Sequence, residues 1–120
     1  MTYQWDNKKP TAQMLGRWQP FHDGHKWLIN QKLKQGKNVL ICVRDIEPDE
    51  NNPWNANQVQ QGIEHTYRNY DNVKVMIIPD IESINYGRDV GYEIIEHLPP
   101  DDIREISATK IRQKMIKEDI

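Results

Sequence analysis

Apolar residues gather into three runs, separated by two stretches in which they recur every three or four positions. Ala12 to Trp18 reads AQMLGRW, a short mixed run before the turn cluster QPFHDGH, and predicts a first strand. Asn38 to Val43 (NVLICV) and Val73 to Ile78 (VKVMII) are nearly continuous and β-rich. Such runs fit strands buried on both faces, as in a parallel sheet. Between the first two, Trp27, Leu28, Ile29 and Leu33 form a stripe for a helix from about His25 to Gln35, with Gly36 placed for its C-cap. Between the second and third, Val59, Ile63, Tyr67 and Tyr70 share one face of a helix from about Asn55 to Tyr70. After Pro79, DIESINYGRDVG reads as a loop. Tyr92 to Leu98 reads as a short strand or a helical turn, and Pro99-Pro100 with two aspartates breaks the chain. A last helix is predicted from about Ser107 to Glu118, with Ile111, Met115 and Ile116 facing inward.

Strands alternating with helices imply right-handed crossovers and an α/β fold. The expectation is a Rossmann-like doubly wound parallel sheet with helices on both faces. It forms a single compact domain over residues 11–120, after a polar N-terminal tail over 1–10. Ligands of such sheets bind beyond the carboxyl ends of the strands. That directs attention to the loops at 17–25, 44–54 and 79–91 and to the start of the last helix.

Composition narrows the picture. A length of 120 residues fits one domain. Leu, Ile, Val and Phe make up 27 of them, a lean core that leaves self-association as a homodimer or larger homo-oligomer open. The net charge of -2 is too small to drive disorder. A pI near 6.1 argues against a broad nucleic-acid surface, so the expected partners are small molecules. A mean hydropathy of -0.89, with no long apolar run, argues against a membrane span. No charged-then-apolar leader is visible. The single cysteine, Cys42, sits in an apolar run and reads as core. It rules out a disulfide framework and is consistent with a reducing, cytoplasmic setting.

Two segments carry candidate chemistry. The first runs from Gly16 through Arg17, Trp18, Gln19, Pro20, Phe21, His22, Asp23 and Gly24 to His25. Two histidines three apart at a helix N-terminus can face one ligand. Gly24 allows close approach to the backbone, and the helix end favours an anion. With Arg17 and Lys26 the loop reads as a phosphate cradle. The same pair also fits a plain helix cap or a weak metal site. The second segment is Ile106-Ser107-Ala108-Thr109-Lys110-Ile111-Arg112. Ser107 is a good N-cap, and Thr109 adds a hydroxyl in the first turn. Lys110 and Arg112 put positive charge where the helix dipole prefers negative, a conflict that an anionic ligand would resolve. An ordinary capped amphipathic helix is the plainer reading.

Together the segments resemble the HxGH-type nucleotidylyltransferase superfamily, whose members carry an H-x-G-H loop after the first strand and an I-S-S-T-x-I-R signature at a later helix. His22-Asp23-Gly24-His25 and I-S-A-T-K-I-R stand here. The G-R-W-Q-P-F-H-D-G-H stretch looks closest to the nicotinamide-mononucleotide adenylyltransferase branch, as do Asn52-Pro53-Trp54 and Ile78 to Glu82. The size looks more like the glycerol-phosphate cytidylyltransferases. The resemblance implies transfer of AMP or CMP from a nucleoside triphosphate to a small, phosphate-bearing acceptor, with release of pyrophosphate. It implies catalytic roles for His22, His25 and Arg17 at the phosphates, and nucleotide contacts from Gly16, Gly24, Lys26, Ser107, Thr109 and Arg112. Mg²⁺ is expected with the triphosphate, and no dedicated metal site is evident. Ala108 replaces a signature serine. The interval from Ile81 to Ile106 is shorter than in most relatives, where it serves base and acceptor recognition.

Three residues are acceptor candidates. Arg44 follows the second strand, and its alternatives are a pair with Asp45 or solvation. Arg88 lies between two glycines, and its alternative is a turn. Trp54 is placed to stack on a ring, and its alternative is packing. The chief functional rival is a non-catalytic nucleotide-binding or regulatory module that keeps the triphosphate site.

Overall fold

The computed structural model describes residues 5–88 and 91–104. Three strands and two longer helices alternate along it: β1 (Thr11–Gly16), α1 (Asp23–Leu33), β2 (Asn38–Asp45), α2 (Ala56–Thr66) and β3 (Val73–Pro79). A four-residue helix, α3 (Asp101–Arg104), follows. The sheet has the order β1-β2-β3 and is parallel throughout, with Met14 opposite Ile41 and Ile41 opposite Val75. This is the parallel, Rossmann-like α/β arrangement that the alternation predicts.

The register explains which side chains form the core. Side chains alternate across a strand, so Met14, then Val39, Ile41 and Val43, then Val73 and Val75 point to one face. That face packs against Ile29 of α1 and Ala56, Val59 and Ile63 of α2, with Tyr67 just beyond. Ile29, Ile41 and Ile63 are fully buried. The two long helices therefore cover the same face, not both faces as expected from the sequence, because two right-handed crossovers in one direction put them on one side of the described sheet. The opposite face carries Gln13, Leu15, Leu40, Cys42, Arg44, Lys74, Met76 and Ile78, and Met76 is 41% exposed. Cys42 is buried there, as expected of a core cysteine, and accepts a long contact from the Gln13 amide at 3.5 Å.

Element ends shift from the sequence reading for local reasons. β1 stops at Gly16 because Trp18 adopts a left-handed backbone, φ 55°. α1 starts at Asp23 because the His22 side chain caps it. α2 stops at Thr66, and Tyr67 leaves helical geometry at its C-cap. Tyr70 is consequently 47% exposed, although it meets Tyr67 edge-on at 5.3 Å. Tyr92 to Leu98 forms neither strand nor helical turn. The helix expected from Ser107 to Glu118 lies outside the described residues. Among residues 5–10, the Asp6 carbonyl accepts from the Asn38 amide at 3.3 Å, and Lys74 lies over the Trp5 ring. No helix of the described residues is long and apolar enough to cross a membrane.

Candidate active site

The first loop sits where β1 leaves the sheet. Trp18 reverses the chain, and its ring folds back over Gly16. A Cβ on Gly16 would lie 2.8 Å from that ring, so only glycine leaves the indole its place. Trp18 is 4% exposed, and its indole N–H donates to the Cys42 carbonyl of β2 at 3.1 Å. Gln19 is equally buried. Its amide donates to the Trp54 carbonyl at 2.7 Å and accepts from the Trp54 N–H at 3.1 Å. One side chain thus ties the β1–α1 loop to the entrance of α2.

The two histidines cap α1 reciprocally. Gly24 N–H donates to Nδ1 of His22 at 3.0 Å, and His22 N–H donates to Nδ1 of His25 at 3.2 Å. The rings stack at 3.8 Å with 15° between planes. Gly24 is required for this: a Cβ there would approach the His22 ring to 2.8 Å. Burial lowers the pKa of His25 to about 4, and neighbouring His22 adds to the effect. Burial also lowers the pKa of His22, against the opposing charge of Asp23. Both imidazoles are therefore neutral near pH 7. Because each Nδ1 accepts a backbone hydrogen, each ring carries its proton on Nε2. The loop presents two neutral Nε2–H donors at the positive end of a helix. The capping role and the anion-binding role thus coexist. The Gly24 N–H, expected to face a ligand, is occupied by the His22 ring.

The other candidates separate in space. Gly16 and Arg44 line a cavity of about 370 Å³ at the carboxyl ends of the strands, together with Leu15 and the segment from Ile81 to Ile84. Arg44 does not pair with Asp45. Its guanidinium reaches Asp80 at 2.6 Å and donates to the Ile81 carbonyl at 3.1 Å, because Asp80 follows the adjacent β3. Its Nε is buried without a hydrogen-bond partner among the described residues. Trp54 and Lys26 instead line a cavity of about 290 Å³ between the loop and α2, with Trp18 and Phe21. Lys26 is half exposed and lies 3.7 Å from Asp23. Arg17 is exposed, and Arg88 is exposed in a turn. The Asp49 carboxylate is held below its usual range, first by the Asn52 N–H, with the charge of Arg17 among the lesser causes. Arg17 therefore stands near the β2–α2 loop.

Ser107, Thr109 and Arg112 lie outside the described residues. Ile103 of α3 lies 3.9 Å from the position of a Gly24 Cβ, so the chain reaches the histidine loop three residues before the signature begins at Ile106. Among the described residues no three His, Cys, Asp or Glu gather to hold a metal ion. Sequence reasoning missed Gln19, Asp80 and the positioning of Trp18. A glutamine between an aromatic and a proline was a faint signal. Asp80 had none beyond following a strand that neighbours Arg44.

Comparison with known proteins adds independent information. No protein-family model matches the chain. A nicotinamide-nucleotide adenylyltransferase of Methanococcus maripaludis strain C6 is 32% identical over 91 residues, covering 74% of this chain and 52% of the relative. A nicotinamide-nucleotide adenylyltransferase of Thermoplasma volcanium is 26% identical over 138 residues, covering 92% of this chain and 78% of the relative. That alignment exceeds the length of the chain, so the relative has residues without counterparts here. The chain spans about half the length of the Methanococcus relatives it matches. Among solved structures, a bifunctional NMN adenylyltransferase/ADP ribose pyrophosphatase of Francisella tularensis superposes with a TM-score of 0.54 at 29% identity, over 60% of this chain and 23% of that one. Its complex with AMP and manganese gives 0.53. With a parallel α/β sheet, two imidazoles at the first helix end and these relatives, the chain belongs to the nucleotidylyltransferase (cytidylyltransferase-like) superfamily, with its likeness to the nicotinamide-nucleotide adenylyltransferases.

Proposed function

We propose that this protein transfers the AMP group of ATP to a phosphate-bearing acceptor of the nicotinamide-mononucleotide type, with release of pyrophosphate. The observation that carries the reading is the pair of neutral Nε2–H donors held by backbone bonds at the N-terminus of α1. The relatives' names supply the choice of ATP and of the acceptor. An acceptor phosphate oxygen attacks the α-phosphorus in line. The new P–O bond forms as the bond to the bridging oxygen of pyrophosphate breaks. The acceptor is already ionised, so no general base is needed. The protein's task is to position the phosphates and offset developing charge.

His22 and His25 donate to phosphate oxygens, with Arg17 adding charge from the same loop. Ser107, Thr109 and Arg112 hold the departing β- and γ-phosphates. The cavity at the strand ends, lined by Gly16 and Arg44, suits an oxygen-rich ligand. Mg²⁺ enters with the triphosphate as its partner.

A specific observation favours the rival, a nucleotide-binding module without turnover. Arg44 is engaged with Asp80, and the side chains of Tyr86, Tyr92 and Ile94 are exposed. Thermal shifts with ATP, CTP, GTP and UTP plus Mg²⁺, followed by pyrophosphate release with nicotinamide mononucleotide and other phosphate acceptors, decide the matter. Expected are preferential stabilisation by ATP and pyrophosphate formed in step with a dinucleotide. Preference for CTP would redirect the reading to cytidylyl transfer. ATP binding without turnover on any acceptor would establish the module.

A further inference from the structure

Three rings surround the His25 imidazole. Phe21 lies nearly parallel to it at 5.6 Å and His22 at 3.8 Å, while Trp18 stands perpendicular at 4.8 Å. The Nδ1 bond from the His22 N–H selects one ring flip, but a single hydrogen bond leaves the ring free to librate about it. Phe21 packs on the core beside Tyr67 but is only partly buried, and His22 lies on the same turn as His25. Trp18 is bonded to the sheet itself. Its indole N–H bonds the Cys42 carbonyl on the central strand, its ring fills the space over Gly16, and it is 4% exposed. The left-handed backbone at Trp18, φ 55°, is strained for a non-glycine residue. Backbone strain of this kind persists where surrounding contacts fix it, and here it brings the indole from the end of β1 onto the histidine.

We propose that Trp18 is a positioning residue for the transfer reaction, a strut that carries the rigidity of β2 to the His25 ring and fixes the direction of its Nε2–H. The proposal rests on the adenylyl-transfer reading above, but its structural half does not. Trp18 touches no reacting atom in this account and acts only through His25. A positioning role of this kind affects the chemical step more than the binding of the triphosphate. A donor that wanders by tens of degrees still attracts an anion, but it no longer matches the transition state closely.

The test uses the full chain and two substitutions. Trp18→Leu keeps an apolar side chain but removes the aromatic edge and the indole N–H. Trp18→Phe keeps an aromatic ring. Three quantities are read: long-range ¹H–¹⁵N correlations of the imidazole nitrogens, kcat and KM for ATP in pyrophosphate release, and thermal unfolding. In the unsubstituted protein, His25 should show one bare and one proton-bearing nitrogen, widely separated, and ring protons displaced by the indole current. In Trp18→Leu the two nitrogen signals should draw together, and kcat should fall at least tenfold with KM changed less than about twofold. Trp18→Phe should restore the nitrogen pattern and most of kcat. A folded Trp18→Leu protein with unchanged His25 nitrogens and unchanged kcat overturns the proposal. So does a fall in activity carried by KM alone. If Trp18→Leu does not fold, the unsubstituted protein decides. His25 nitrogens at the tautomer average, or ring protons without displacement, overturn the proposal, and a single tautomer together with ring protons displaced by the indole upholds it. If the unsubstituted protein releases no pyrophosphate with any acceptor, the adenylyl-transfer reading has failed, while the indole displacement of the His25 ring protons and the change of the nitrogen pattern in Trp18→Leu still test the strut.

Discussion

At the scale of single residues, the histidine pair carries two duties that substitution can separate. His22 caps α1 through Nδ1 and offers Nε2–H outward. Asparagine caps helices well but has no equivalent of the distant donor. His22→Ala should therefore cost about 0.5–2 kcal/mol of stability, whereas His22→Asn should recover most of that loss in urea unfolding. Neither should recover turnover, which is expected to fall by about 10²–10³ if Nε2–H contacts the phosphates in the transition state. The pH dependence follows from the same bonds. The unfolded imidazole of His25 titrates near its ordinary value of 6.5, and the folded one at about 4. Between these values the unfolded chain binds the proton and the folded chain does not. Stability contributed by the neutral ring is thus complete above pH 6.5 and is lost as pH falls towards 4. His22 shifts in the same direction and reinforces the loss. The unfolding temperature should drop across this window, and the drop should shrink in a His25→Asn variant. A profile that is flat from pH 7 to 4.5 would contradict the neutral, capping tautomers.

At the scale of elements, the alternation of runs and stripes was enough to read three parallel strands and the two helices between them. Their cores were legible because Ile29, Ile41 and Ile63 are buried wherever the period is right. The ends were less legible, since they depend on side chains acting at a distance. The His22 cap moved the start of α1, and the left-handed Trp18 ended β1 early. The most consequential unread link is Gln19. Its amide imitates a strand partner for Trp54, 35 residues away, and nothing in local periodicity encodes a contact of that separation. Removing it leaves a partly buried donor and acceptor unpaired. Gln19→Leu should cost about 2–3 kcal/mol in urea unfolding. It should also speed proteolysis between β2 and α2, where the Asp49 turn and Asn52 precede Trp54. A loss below about 0.5 kcal/mol would mean that Trp54 is held by packing alone.

At the scale of the whole molecule, the candidate residues sort into the histidine pair, the strand-end cavity and the cavity beside α2. The loop was readable as a phosphate cradle because its residues are adjacent in sequence. The division of Arg44 from Trp54 was not, because it depends on which side of the sheet each loop descends. Arg44 shows the difference most directly. As an acceptor ligand it should raise KM for the acceptor when removed. As a tie between the ends of β2 and β3 it should lose stability together with Asp80. The pair is partly exposed, 26% and 48%, so solvent screens it and a coupling of about 0.5–1 kcal/mol is the realistic scale. A double-mutant cycle over Arg44→Met and Asp80→Asn separates the two roles. We expect coupling of that size in urea unfolding. We also expect Asp80→Asn alone to lower KM for a phosphate acceptor, because it frees a guanidinium that already lines the strand-end cavity. Coupling near zero would place Arg44 outside the tie. An acceptor KM unmoved by either change would remove it from the acceptor site and leave the tie as its whole role.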